Sequence, residues 1–321
     1  MRKDAKTQKT VSLSGVDSYH AHSSWSINYA FQGFKENKYF TSDRFIRLDE
    51  NFRRPDGKPL RGYGLEIETE CTGVTNETVY AEMLQSVIFA HFPSDLFKLQ
   101  HDGSLGGSVN AEAITQVMTK EFIRNNYAAF KLMYDTYFPA FQVSCSRTGN
   151  CGMHVNISNG CFGRTAEAQT LAIRKLLYIV NRHYKLMCAL TLRPENRTHY
   201  CARMPQFATR DSCKAADLHN MPSSHGNCCN FSHFPEGRIE LRLPGGQPAF
   251  GGFRNTMESV FHLVEAVKRL TWEECDSVQA IFSGCNQYVF DRLNTKVKGA
   301  GAITDHDLGV IRATVKREEL L

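Results

Sequence analysis

Eight side chains in this sequence have types and spacings that could do chemistry together: Glu66, Glu68, Asp102, Glu112, His154, Arg238, Glu240 and Arg242. They fall in short motifs. GLEIE (64–68) carries the paired glutamates, HDGSL (101–105) carries Asp102, and EAIT (112–115) opens on Glu112. GMHVNIS (152–158) carries His154, and RIELRLPGG (238–246) sets Glu240 between two arginines. Carboxylates packed together repel one another and raise each other's pKa unless a cation neutralises them. Hard oxygen ligands with one imidazole suit Mg²⁺ or Mn²⁺. Arginines beside such ions hold phosphate oxygens. Together these are the parts of a phosphoryl-transfer site, which works by positioning and charge neutralisation. Each residue alone also has an ordinary reading: a solvated strand face for the glutamates, a hydrogen-bonded histidine, an Asp-Gly turn, an ion pair between Glu240 and its arginines.

The elements that must position these groups are mostly strands. In RGYGLEIETECTG, Leu65 and Ile67 alternate with Glu66 and Glu68, which puts the acids on one face. LFKLQHDGSL reads as a strand turning at Asp102-Gly103, with NAEAITQVM as its antiparallel partner. In GNCGMHVNIS, His154 and Asn156 alternate with Met153, Val155 and Ile157. In GRIELRLPGG, Arg238, Glu240 and Arg242 oppose Ile239, Leu241 and Leu243. Helices are expected from an Asn76 cap to Pro93, over 120–137 ending at Pro139, over 165–190 with Leu171, Leu176, Ile179 and Leu186 buried, and over 251–270 and 272–282. Residues 193–225 read as an irregular polar loop. The expectation is an α+β fold, a largely antiparallel sheet with helices packed on one face. Residues 1–60 read as a partly disordered extension, 61–295 as the catalytic domain and 296–321 as a tail.

The 321 residues are 42% hydrophobic and 22% charged, enough apolar material for a sizeable core. No long apolar run predicts a membrane span, and MRKDAKTQKTVSLSG lacks the apolar stretch of a secretory signal, so a soluble cytoplasmic protein is expected. The net charge of +5 comes without a polybasic block, so no nucleic-acid partner is expected. Eleven cysteines include no CxxC pair and read as reduced, buried thiols. A zinc site from Cys145, Cys151, Cys228 or Cys229, a metal pair at His20 and His22, and a nucleophilic Cys151 are the less favoured readings. Gly245-Gly246 reads as a turn, or as backbone amides offered to an anion.

These motifs, in this order, resemble the amidoligases of the glutamine synthetase and glutamate–cysteine ligase superfamily of carboxylate–amine ligases. The resemblance covers roughly residues 61–270. It implies a glutamine synthetase-like catalytic domain, a curved antiparallel sheet holding ATP and Mg²⁺ (or Mn²⁺) on its concave face. Glu66, Glu68, Asp102, Glu112, His154 and Glu240 would be metal ligands, with Asp102 and Glu112 approaching the amine. His154 would share its ion with the γ-phosphate, and Arg238 and Arg242 would bind phosphate. The reaction implied is attack of a carboxylate on ATP to give an acyl phosphate, then displacement of phosphate by an amine. The substrates would be small-molecule or peptide carboxylates and amines, and relatives of this kind often form homo-oligomers. Arg182 and Tyr184, then Arg197 and Tyr200, resemble an Arg- and Tyr-rich stretch that precedes the last strand in such proteins. Three other functions compete: an amine or guanidine kinase on the same fold, a metal-dependent hydrolase, and a non-catalytic scaffold. No HExxH motif supports the hydrolase.

Overall fold

A computed structural model describes residues 61–75, 79–80, 83–84, 91–92, 96–100, 105, 109–145, 151–194, 201–221 and 226–316. They fold as antiparallel strands with packed helices, the α+β class expected. The chain divides into two compact units, one containing Tyr63–Met153 and Gly246–Phe250, the other His154–Gly245 and the chain from Gly251 onward. No helix among the described residues is long and apolar enough to cross a membrane.

The first unit holds four strands: β1 (Tyr63–Cys71), β2 (Phe97–Gln100), β3 (Asn110–Thr115) and β4 (Val143–Ser144). β3 pairs antiparallel with both β1 and β2, and β4 pairs antiparallel with the end of β1. Alternation in β1 places the acids as expected, but its acidic face is not a solvent face. Every residue of β1 is buried except Glu66, which is half-buried. Leu65, Ile67, Leu99, Ala111 and Ala113 form the dry face. Thr69 is tolerated there because its hydroxyl donates to the Ala111 carbonyl (2.7 Å) and accepts from Tyr80 (2.8 Å). Burial raises the Tyr80 pKa well above its ordinary value.

The single helix expected over 120–137 is segmented into Lys120–Asn125, Tyr127–Leu132, a π-helical turn Met133–Tyr137 and Phe138–Ala140. Asn126 explains the first break, because its side-chain amide donates to the Phe122 carbonyl at 2.8 Å and competes with the backbone ladder. Pro139 does not end the helix. It sits in the first turn of Phe138–Ala140, where a missing N–H costs little. The expected helix start at Asn76 and its stop at Pro93 lie outside the described residues.

The second unit is built on β5 (Met153–Ser158, whose first residue belongs to the first unit), β6 (Cys229–Asn230) and β7 (Arg238–Leu241). β7 pairs antiparallel with β5 on one side and β6 on the other. Thr165 caps the helix Ala166–Arg182 by accepting from the Ala168 amide at 3.2 Å. The helix expected to run on to 190 breaks at His183 and resumes as Tyr184–Leu190. His183 turns its ring to the Cys275 carbonyl (3.0 Å), and burial lowers its pKa. Leu176, Ile179 and Leu186 are buried as expected, but Leu171 is 45% exposed, on the solvent side of the helix. The polar stretch 193–225 is not wholly irregular, since Thr209 caps a short helix, Arg210–Lys214. The helix expected over 251–270 is Phe250–Arg269, and that over 272–282 is a 3₁₀ turn, Glu274–Asp276, followed by Val278–Phe282. Residues read above as a tail include the helix Asp305–Arg312, with Val297, Ile303, Leu308 and Ile311 buried.

Asp276 gathers this unit's helices by charge. It accepts from the Tyr178 hydroxyl and from Arg210 (2.6 Å), with Arg182 at 3.7 Å. Burial alone would raise its carboxyl pKa, but the Tyr178 and Arg210 hydrogen bonds and the two arginine charges bring it below the ordinary 3.8. The native state therefore keeps Asp276 ionised at pH values where the unfolded chain protonates it. Its stabilisation is complete above pH 3.8 and disappears as pH falls through the lower native-state value. Asp276→Asn is expected to lower stability at neutral pH, with the gap to the wild type closing below that pH in urea melts run from pH 7 downward.

Gly246 is required by packing. A Cβ there would stand 1.4 Å from the Cys145 carbonyl oxygen, whereas one on Gly251 would meet nothing within 4 Å. Gly246→Ala is expected to lose about 3 kcal/mol or more of stability, because a backbone atom must move. Gly251→Ala, in the first turn of a helix, should be neutral or gain up to about 1 kcal/mol. Thermal melts of the two variants check the contrast.

Candidate functional site

In the first unit, antiparallel register sets Glu68 directly opposite Glu112. Both are buried, and a carboxylate oxygen of one lies within 4.8 Å of one from the other. Residues directly opposite on paired strands share a face, so the closeness follows from the pairing itself. The Glu68 carboxylate also accepts the Gly152 amide. Glu66 lies on the same face two residues earlier, opposite Ile114, and Glu70 two residues later, opposite Asn110. Glu70 is buried and was not singled out from the sequence, although the alternation through GLEIETE places it with the other two. The charge on Glu68 helps raise the pKa of the fully buried Cys145 thiol, after burial itself.

A buried pair of like charges is costly unless a proton or a cation sits between them. Oxygen donors at this separation suit a hard divalent cation, for which Glu68 and Glu112 could each supply a ligand. Asp102, the other acid expected here, lies outside the described residues.

In the second unit, Glu240 on β7 is the centre of a buried polar cluster. One oxygen takes Arg242 at 2.6 Å and faces the His154 Nδ1 at 3.4 Å. The other accepts the Asn230 side-chain amide at 2.8 Å. Arg242 also approaches the His154 Nδ1 at 3.4 Å. The strands dictate this: Glu240 stands opposite Asn156 on β5 and Asn230 on β6. Arg238 turns to the Asn156 side chain instead of to Glu240. So the ion pair weighed for this strand is present, and it is Arg242 that makes it. Asn156 and Asn230 complete the cluster. Nothing in the sequence marks Asn230, because β6 is only two residues long.

Several weaker candidates resolve into structural roles. Arg182 pairs with Asp276 at 3.7 Å, and the Tyr184 hydroxyl donates to the Cys201 carbonyl at 2.6 Å. The Gly245 amide donates to Thr191 (3.1 Å) and the Gly246 amide to Cys151 (2.9 Å), so both are spent on backbone carbonyls, and the expected turn is absent because the chain runs straight on there, with Gly245 in a β-bridge. All eleven cysteines are free, and all but Cys161 are buried. Burial pushes the Cys275 thiol up to about 11 and those of Cys188, Cys213 and Cys285 up to about 12, which leaves them protonated near neutrality. Among the described residues, no cluster of three potential metal ligands includes a cysteine. His20, His22, Arg197 and Tyr200 lie outside the described residues.

Removing Glu240 takes the 2.6 Å carboxylate partner from a guanidinium whose side chain is 11% exposed. Glu240→Ala is expected to cost about 3 kcal/mol, the usual scale for breaking a buried ion pair. Glu240→Gln keeps an acceptor for Asn230 and should cost less, as urea denaturation of both variants would show. No family model matches the chain, and no curated protein matches its sequence.

Proposed function

We propose that this chain is an ATP-dependent carboxylate–amine ligase that forms an amide or peptide bond through an acyl phosphate. The observation that carries the reading is the buried Glu68–Glu112 pair, two carboxylates held within 4.8 Å by strand register. Such a pair is costly to a protein that does not use it, and a divalent cation such as Mg²⁺ or Mn²⁺ relieves the cost. Support from the other unit is chemical. His154, Glu240 and Arg242 bring together an imidazole, a carboxylate and a guanidinium in one buried cluster, the groups that suit a cation and phosphate oxygens. Glu66 and Asp102 are assigned as further cation ligands, and Arg238 as a second phosphate-binding arginine.

In this reading Glu68 and Glu112 would hold a cation that supplies positive charge, and the arginines would offset with it the repulsion between the substrate carboxylate and the triphosphate. Glu112 and Asp102 steer the amine, and Arg242 holds charge as it develops on the transferred phosphoryl group.

A specific observation favours a second reading, a structural scaffold. Both oxygens of Glu240 already have protein partners, as a purely stabilising network would require. Turnover separates the two. Purified protein is incubated with ATP, Mg²⁺ and pools of amino acids or peptides, and ADP, phosphate and amide product are followed. The ligase reading expects acceptor-dependent ADP release, reduced by Glu112→Gln at least ~100-fold, the scale for removing a charged group from a phosphoryl-transfer site. Phosphorylated acceptor without amide would move the assignment to a kinase. No nucleotide turnover, together with a melting temperature unmoved by Mg²⁺ or Mn²⁺, would leave the scaffold.

A further inference from the structure

The second unit carries an open surface cavity of about 280 Å³, with Lys185, Pro194, Lys296 and Ala300 exposed at its rim, away from the Glu240 cluster in sequence and lined by different side chains. Lys185, Cys188 and Ala189 come from the helix Tyr184–Leu190, Leu192, Arg193 and Pro194 from the turn after it, and Lys296 and Ala300 from the helical turn Leu293–Val297 and beyond. Three of the eight lining residues are basic and none is acidic, in a chain with nearly as many acids as bases. Lys131, Lys268 and Lys298 each stand within 2.7 Å of a carboxylate. Among the described residues, Lys185 and Lys296 have no such partner.

Arg193 makes this more than a pair of surface lysines. It is only 6% exposed. Its Nε donates to the Leu243 carbonyl (3.1 Å) and its Nη2 to those of Arg242 (3.2 Å) and Pro244 (2.8 Å). Carbonyl dipoles fix the guanidinium plane but do not cancel its charge, and these bonds leave Nη1 unused. The wall beside it is strained. Leu192 has φ of 59°, the left-handed region that a branched side chain resists. Gly245 permits it, since its amide bonds the Thr191 carbonyl at 3.1 Å and a Cβ there would fall 2.5 Å from the Leu192 oxygen. The left-handed residue ends the helix Tyr184–Leu190, with the Arg193 amide bonded back to the Cys188 carbonyl at 2.9 Å, and so fixes the backbone from which Arg193 springs.

We propose that this cavity binds a small organic anion, a phosphate or carboxylate group carried on a short apolar body. Arg193, Lys185 and Lys296 take the charge, while Ala189, Leu192, Pro194 and Ala300 cover the carbon chain. The volume sits at the small end of ligand pockets, which limits the guest to a compact molecule. Because Arg193 also holds the carbonyl of Arg242, occupancy bears on the residues that follow β7. The inference does not rest on the ligase reading, since it uses no residue assigned to that chemistry as a ligand contact.

The test is calorimetric titration of the full chain, in EDTA, with butyl phosphate, butyrate, inorganic phosphate and butanol. Saturable binding of butyl phosphate or butyrate, tighter than of inorganic phosphate or butanol, is the expected result, and whichever binds tighter identifies the headgroup. The double variant Lys185→Glu/Lys296→Glu, at two exposed positions, should weaken it by at least ~10-fold with the melting temperature unchanged. Ala189→Phe, which fills the cavity, should abolish it. No saturable binding up to ~10 mM, an affinity unchanged in the double variant, or inorganic phosphate binding as tightly as the amphiphiles would each overturn the proposal.

Discussion

A carboxylate taken out of water must have its charge met, and the polar architecture of the second unit follows from meeting it at Glu240. Arg242 at 2.6 Å, Asn230 at 2.8 Å and His154 at 3.4 Å come from the residue after β7, from β6 and from β5, so the cluster forms only when the three strands are in register. A one-residue slip would turn every one of these side chains to the opposite face and bury the charge among Ile239, Leu241 and Val155. Register and charge are thus one constraint. β6 is too short to hold its place by ladder hydrogen bonds alone, and its fit rests on the Asn230–Glu240 contact together with the Arg242 amide bonded to the Cys228 carbonyl at 3.0 Å.

The first unit meets the same problem differently. There the strand pairing places Glu112 against Glu68, like against like, with Glu66 and Glu70 on the same face of β1. A fold selected for stability alone would place Thr or Val at one of the two positions, because opposed like charges weaken a strand pair. The backbone amide of Gly152, aimed at Glu68, meets part of that charge. Arg292, in the second unit, is a buried guanidinium whose pKa burial lowers to about 10 and whose Nη1 has no hydrogen-bond partner. It donates weakly to the Gly251 and Gly252 carbonyls, and no ligand role follows from that.

How much of this was legible in the sequence depends on which physical rule set each residue. Period-two alternation located β1, β3, β5 and β7 and put the acids, His154 and the arginines on the right faces, because side-chain direction in a strand is a local property. The same rule misread the environment, since alternation between charged and apolar residues normally marks a solvent face and here both faces of β1 are buried. Leu171 failed for the converse reason: its helical spacing is apolar, but at that turn the helix faces solvent. The breaks at Asn126 and His183 come from side chains that bond elsewhere, one to a carbonyl four residues back and one to Cys275 far along the chain. The first was readable in principle, the second was not. β4 and β6, at two residues each, carry no periodicity to read.

The segment Leu192–Pro194 shows why the remainder lay beyond sequence reasoning. Nothing local distinguishes Arg193 from any loop arginine, and a polar loop is what composition suggests. Its burial is imposed from fifty residues away, by three consecutive carbonyls at Arg242, Leu243 and Pro244 that have left the ladder of β7 and need donors. The helix Tyr184–Leu190 ends in a left-handed cap at Leu192, where the Arg193 amide bonds back to the Cys188 carbonyl at 2.9 Å, and the close approach of the next segment admits only glycine at 245. Gly245 is therefore what lets the segment carrying Arg193 lie against the carbonyls after β7, while Gly246 makes room for the Cys145 carbonyl. The charge that could meet an anion stands on Arg193 and not on the glycine amides.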